Sequence, residues 1–295
     1  MNIERLDENS ARFHGVDFDA RLTLIDSAQV FHWREEGGAF CGVTAGRSAR
    51  LVPCGDGFLL EGCAAGDESF WIHYFDLARD YSRLAERVRN YDMAYRAMKR
   101  LPGLRVLNQP AWEALIAFII SANNNVSRIR GIVLRLLETL GEDGAFPTPE
   151  RLAAADEETL RGLGCGYRAP YLIDTAARVR DGFDLRSVSA LPYEEAHKRL
   201  LTLSGVGDKV ADCVQLFGMG QSMAFPVDVW VERLMKKWFV PETAGKAEIR
   251  RAARDMFGND AGLIQQSLFH CARLGLRLLT MQDADYPVRL RNIFE

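Results

Sequence analysis

The chain has 295 residues, 48% of them hydrophobic, and a formal net charge of −3, which is long enough for a sizeable core divided into two or three units. That charge excludes a uniformly basic nucleic-acid binder, so any contact with a polyanion must be local. The six cysteines, at 41, 54, 63, 165, 213 and 271, show neither C-x-x-C nor metal-ligand spacing; they point away from a zinc or iron–sulfur site and towards reduced thiols in a cytosolic setting.

Met1, Asn2, Ile3, Glu4 and Arg5 lack the apolar core of a signal peptide, and the longest apolar run, 114–120, is too short to cross a bilayer. The expectation is a protein neither secreted nor held in a membrane. Between residues 20 and 76, short strands are predicted at 22–25, 29–33, 40–43, 58–61 and 70–74, with Gly37-Gly38 and Gly55-Asp56-Gly57 as turns. They make an antiparallel sheet whose strand order the sequence leaves open. From about residue 78 the apolar period becomes helical. Trp112, Leu115, Ile116, Ile119 and Ile120 follow Pro110 at i, i+3, i+4, i+7 and i+8. Further helices are predicted at 126–140, 150–163, 168–181, 192–203, 206–217, 229–239, 246–257 and 261–273. The fold class is therefore α+β, an N-terminal antiparallel sheet domain at 1–78 followed by a helical region at 79–295.

Residues 203–212, Leu-Ser-Gly-Val-Gly-Asp-Lys-Val-Ala-Asp, place Gly205, Val206 and Gly207 between two helical patterns. Both glycines offer φ > 0 freedom, so this turn can aim backbone N–H groups at a phosphate. The next helix carries Val210, Cys213, Val214 and Phe217 on one stripe, which leaves Lys209 and Asp212 off it and Lys209 beside the phosphate. Asp228 follows a proline and precedes a helical pattern, where it can cap that helix and also face a cationic centre. Basic residues group at Arg96, Lys99, Arg100 and Arg105, at Arg128, Arg130 and Arg135, and at Arg233, Lys236 and Lys237. Each group is either an anion-binding patch or a solvated helix face.

The hairpin at 203–212, followed by Val-Asp-Val-Trp-Val-Glu-Arg at 227–233, resembles the helix-hairpin-helix DNA glycosylase superfamily. Three further segments, at 121–125, 166–169 and 265–269, narrow the resemblance to the 8-oxoguanine DNA glycosylase/lyase family over nearly the whole chain. The endonuclease III branch, which looks similar at the hairpin, usually ends in a four-cysteine cluster loop that is not found here.

The resemblance implies an enzyme that flips 8-oxoguanine out of duplex DNA and excises it, preferring cytosine opposite. Lys209, its charged form disfavoured by burial, would attack C1′ as a free amine, and Asp228 would stabilise the positive charge that develops on the sugar. The resulting imine permits β-elimination, hence strand nicking. By the same resemblance Asn123 fills the vacated space, Tyr167 wedges beside the opposite base, and Arg128 and Arg168 read the orphaned cytosine, whose O2 and N3 are acceptors. The Ala28 carbonyl would accept from N7–H of the lesion, although the family usually has glycine there. Cys213 and Phe269 would sandwich the base, and Gln265 would bind its Watson–Crick edge. The implied partner is double-stranded DNA containing oxidised guanine, met by a monomer without metal or cofactor, near the bacterial nucleoid or in a nucleus. The segment beyond Arg273 is either a capping segment or a DNA-flanking tail. A monofunctional alkyl-base glycosylase would keep Asp228 without needing Lys209, and a non-catalytic hairpin module would need neither.

Overall fold

The computed structural model describes residues 1–273 and Gly275; most of the C-terminal segment singled out above therefore lies outside the described residues. Six strands, β1 (Asn2–Asp7), β2 (Ser10–His14), β3 (Arg34–Glu36), β4 (Ala39–Thr44), β5 (Arg47–Cys54) and β6 (Gly57–Glu61), form one antiparallel sheet in the order β1-β2-β6-β5-β4-β3. Its register is fixed by alternation. Ala11, Phe13, Leu51, Phe58 and Leu60 turn to a core that also holds Trp33, Trp71, Tyr74 and Phe75, and a one-residue slip would expose that whole face.

The expected sheet is present, but three of the predicted strands are not strands. Residues 22–25 fall in a short π-helical turn, Leu22–Asp26, begun by Asp19, whose Oδ1 accepts from Leu22 N at 2.8 Å. Residues 70–74 lie in helix α1 (Glu68–Tyr74). In both places a short apolar run carries no period that separates strand from helix; Trp71, Tyr74 and Phe75 reach the core because i, i+3 and i+4 share a helix face. Residues 29–33 are irregular. In the other direction β1, β2 and β5 escaped the hydrophobic reading, since polar and charged residues interrupt the apolar ones along them.

Beyond the sheet, the helices are α2 (Tyr81–Arg87), α3 (Asp92–Lys99), α4 (Ala111–Ser121), α5 (Val126–Leu140), α6 (Pro149–Ala153), α7 (Glu157–Gly162), α8 (Ala169–Arg180), α9 (Leu185–Ser189), α10 (Tyr193–Leu200), α11 (Asp208–Gly218), α12 (Val229–Trp238), α13 (Lys246–Phe257) and α14 (Ala261–Arg273). The contacts group them into two units. One joins Met1–Arg79 to Gly103–Ala224, so that the sheet shares a compact body with α4 to α11; the other joins Asp80–Pro102 to the chain from Phe225. The change from strand to helix along the sequence thus does not coincide with the division into compact bodies. In the first unit α4 is buried on every side from Glu113 to Ser121, beyond the single stripe its sequence suggests. In the second, α14 packs on α3 and α12.

Several arginines grouped above as patches or solvated faces serve neither role. Arg105 is buried and donates to the carbonyls of Asp17, Asp76 and Arg79. Arg130 donates to the carbonyls of Trp33 and Ile25, whereas Arg135, which donates to that of Leu163, stays exposed. Loops rich in unpaired backbone oxygens take up the donors.

Candidate active site

The hairpin between α10 and α11 begins at Gly205, whose φ of 76° lies in the left-handed region. A side chain there would cost about 1–2 kcal/mol in backbone energy, and its Cβ would come within 2.9 Å of Tyr171 Cβ. Gly207 departs from the expectation. Its φ of −99° and ψ of −179° are extended backbone open to any residue, and a Cβ there would meet nothing within 4 Å. What its missing side chain provides is clear space before the α11 N-terminus. Asp80, Asn125, Thr148, Asp156 and Asp184 cap the helices they begin, whereas no side chain among the described residues caps α11. Its first-turn N–H groups are left without a side-chain acceptor from the N-cap.

Lys209, in that first turn, is half-buried. Its Nζ donates to Ser121 Oγ at 3.0 Å and lies 5.2 Å from the centroid of the Phe118 ring. Ser121 in turn donates to the Phe118 carbonyl at 2.7 Å, which directs its hydroxyl oxygen to accept from the lysine. Phe118 stacks on Phe217 at 5.3 Å and meets Phe31 edge-on at 5.9 Å. The ring chain links the Lys209 region to the segment that carries Ala28. Cys213, one turn beyond Lys209, is buried.

Ala28 adopts φ 56°, so its methyl is held where glycine would be free. The segment is locked by Gln29, which is 1% exposed. Gln29 Nε2 donates to the Arg105 carbonyl at 2.8 Å and to Ser27 Oγ at 3.0 Å, while its Oε1 accepts from Leu107 N at 2.8 Å. Its own carbonyl accepts from Gln109 Nε2 at 2.8 Å. The Ala28 carbonyl receives no hydrogen bond among the described residues, so the acceptor expected to meet the lesion is open.

After α4 the chain turns at Asn123, exposed and at φ 49°, before Asn125 caps α5 by accepting from Arg128 N at 2.9 Å. Arg168 is 4% exposed. Its guanidinium donates to the carbonyls of Ala122, Asn123 and Cys165 and packs 4.3 Å from the centroid of the Tyr167 ring. Tyr167 is 49% exposed. The two arginines expected to read the opposite base therefore differ: Arg168 braces the Asn123 turn, and Arg128 is exposed with no side-chain partner among the described residues.

In the second unit Asp228 caps α12, its Oδ1 accepting from Trp230 N at 3.0 Å and Val231 N at 2.8 Å. Oδ2 receives no hydrogen bond among the described residues, so capping and a second electrostatic task are compatible on one carboxylate. Gln265 on α14 donates from Nε2 to the Pro226 carbonyl at 3.0 Å, tying α14 to the segment that leads into Asp228. Its Oε1 is buried without a hydrogen-bond partner among the described residues. Such a buried acceptor is costly unless a ligand satisfies it. Phe269, on the same helix, has the Arg273 guanidinium 5.5 Å from its ring centroid.

Sequence reasoning missed three participants. Ser121 was visible only as part of a motif, because its contact with Lys209 spans 88 positions. Gln29 gave no periodic signal. The third is His197, which meets Asp208 and Asp212; the i, i+4 spacing of the two aspartates is readable, but their partner on another helix is not.

A helical hairpin with an uncapped, lysine-bearing second helix, followed by an aspartate cap, defines the helix-hairpin-helix base-excision class. The chain matches that superfamily of base excision DNA repair proteins over residues 116–258 and the N-terminal domain of 8-oxoguanine DNA glycosylase over residues 12–115. It is 31% identical to an N-glycosylase/DNA lyase of Arabidopsis thaliana over 299 residues, covering 90% of this chain and 81% of that protein. An N-glycosylase/DNA lyase of Saccharomyces cerevisiae is 41% identical over 156 residues, 46% of this chain and 42% of the yeast protein. The crystal structure of a Clostridium acetobutylicum 8-oxoguanine glycosylase/lyase, in complex with double-stranded DNA containing cytosine opposite 8-oxoG, superposes with a TM-score of 0.87. That structure is 32% identical in sequence, and the match covers 92% of this chain and 98% of the other. The chain belongs to the 8-oxoguanine DNA glycosylase/lyase family.

Proposed function

We propose that this protein excises 8-oxoguanine from duplex DNA and then nicks the strand, as a bifunctional glycosylase and lyase. The relatives named N-glycosylase/DNA lyase and the DNA complex of the clostridial enzyme support that activity and that partner. The single observation that carries the mechanism is Lys209, held by Ser121 at 3.0 Å in the first turn of the uncapped α11. Once deprotonated, Nζ attacks C1′ of the flipped nucleotide, forming the N–C1′ bond as the bond to N9 breaks and its electron pair leaves with the base, which takes up a proton. Ring opening gives an imine between Nζ and C1′. Loss of a proton from C2′ then expels the 3′ phosphate by β-elimination.

Asp228 stabilises the cationic sugar through its uncommitted oxygen. The open Ala28 carbonyl accepts from N7–H, which 8-oxoguanine has and guanine lacks; Gln265 Oε1 accepts from the Watson–Crick edge, with Cys213 and Phe269 on the two faces of the base. Asn123 fills the vacated space, and Tyr167 wedges beside the opposite base. Arg128 offers donors to the orphaned cytosine at once, and Arg168 does so after exchanging its carbonyl partners. The protein works as a monomer, in the cytoplasm of a bacterium or in a nucleus. The experiment is to incubate it with a duplex carrying 8-oxoguanine opposite cytosine, with an undamaged duplex as control, and follow free base and strand scission separately. Release of 8-oxoguanine together with nicking is expected; base release without nicking would mean a monofunctional enzyme.

A further inference from the structure

Beneath the hairpin lies a polar cluster to which the chemistry above assigns nothing. His197 on α10 places Nε2 3.0 Å from Asp208 Oδ1 and Nδ1 3.4 Å from Asp212 Oδ1. Gln215 Nε2 lies 3.1 Å from the same Nδ1. Tyr193, one turn before His197, donates from Oη to Asp212 Oδ1 at 2.6 Å. The Asp212 side chain is fully buried, and that of Asp208 is 53% exposed. Both aspartates sit on α11 around Lys209, one position before it and three after. A carboxylate in the first turn of a helix is attracted to the same N–H groups as a DNA phosphate, and it repels that phosphate.

We propose that His197 is a positioning residue for the lysine chemistry: as an imidazolium it pins Asp208 and Asp212 to α10 and offsets their charge, which leaves the α11 N-terminus to the DNA phosphate. The role rests on the glycosylase reading of Lys209. Burial of the ring opposes its charge, but the bonds and charges of Asp212 and Asp208 outweigh this, and His197 titrates above its ordinary value. Those two carboxylates are the charges that act on it from α11; Gln215 faces it from the same helix, where the charged ring needs the amide to present Oε1, which has no other hydrogen bond among the described residues, to Nδ1–H, and Tyr193 faces it from its own helix. Titration of His197 removes one positive charge from beside the two aspartates.

The test is duplex affinity, measured with the full-length protein on DNA carrying an abasic-site analogue, from about pH 6 to about pH 9. His197→Gln keeps a donor towards Asp208 but cannot become charged. It is expected to bind roughly two- to fivefold more weakly than wild type at the acid end, as suits one partly exposed charge pair, and to lose the part of the pH dependence that wild type shows. Adding Asp208→Asn to His197→Gln should restore affinity to within about twofold of wild type, because one of the two carboxylate charges beside the phosphate is gone. Asp208→Asn alone, at an exposed position, should bind at least as well as wild type with a flatter pH profile. Wild-type affinity in His197→Gln, or no rescue in the double variant, would overturn the proposal and reduce His197 to packing. Borohydride trapping of the wild-type protein on 8-oxoguanine DNA, run alongside, separates this outcome from failure of the glycosylase reading, since it reports whether Lys209 forms the imine at all.

Discussion

The methyl group of Ala28 sits at a backbone φ of 56°, held there by the bonds that Gln29 and Ser27 make on either side of it. The strain is local and testable. Ala28→Gly is expected to raise the unfolding free energy by about 1 kcal/mol, the ordinary cost of an L side chain in that region, as measured by urea denaturation. An unchanged or lowered stability would mean the segment is not strained. At Arg128 the guanidinium stands in solvent with donors to offer, and cytosine answers them while adenine presents a competing N6–H₂ donor. Arg128→Met should therefore flatten the opposite-base preference by roughly one to two decades, chiefly by slowing the cytosine pair. Single-turnover rates against the four opposite bases give the comparison, and equal rates in the wild-type protein would show that Arg128 does not read the orphan base.

At the level of elements, the two hairpin glycines separate fold from function. Gly205→Ala is expected to destabilise the protein by about 1–3 kcal/mol, because it combines a positive φ with a close approach to Tyr171. Gly207→Ala should leave thermal stability within about 1 kcal/mol and weaken duplex binding instead, since its Cβ would enter the open space before α11. If both substitutions altered only stability, the hairpin would be a structural turn. Long amphipathic helices were the most legible part of the sequence: α5, α13 and α14 begin and end where the apolar period and caps predict. Short apolar runs were the least. Residues 22–25 and 70–74 could not be told from strands, because five residues carry too little period and the deciding contacts, such as Trp33 Nε1 with Tyr74 Oη at 2.9 Å, are far apart in sequence. The candidate site divides in the same way. Lys209 and Asp228 stand out through local turn and cap patterns, whereas Ser121, Gln29 and His197 act through partners on other elements, and a single sequence gives no measure of such distances.

Across the whole molecule, buried ionisable groups set the dependence of stability on pH. Glu113 on α4 accepts from Thr44 Oγ1 and Ala45 N, each at 2.7 Å, joining the β4–β5 turn to that helix; burial, only partly countered by these bonds, pushes its carboxyl up to about 7. The native state then holds a proton that the unfolded chain releases above its ordinary value. This contribution is complete in acid and is lost as pH rises towards 7. Between about pH 5 and pH 7, Glu113→Gln should remove a decline on the order of 2–3 kcal/mol, read as the difference between the urea stabilities of variant and wild type. Burial works in the opposite direction on His32 and His270, lowered to about 3 and about 4, so their contribution is present above about pH 6.5 and lost on acidification. A wild type and variant with parallel pH profiles would place the Glu113 proton elsewhere.

The proposed joint action of base release and strand nicking turns on one covalent bond, between Lys209 Nζ and C1′ of the damaged nucleotide. Borohydride reduction of that imine during incubation with a duplex carrying 8-oxoguanine opposite cytosine measures the bond directly. Wild-type protein should be trapped as a stable protein–DNA adduct, and Lys209→Gln should form none while still binding the duplex through the hairpin backbone. An adduct of undiminished yield in Lys209→Gln, with base release at the wild-type rate, would contradict the assignment of the nucleophile.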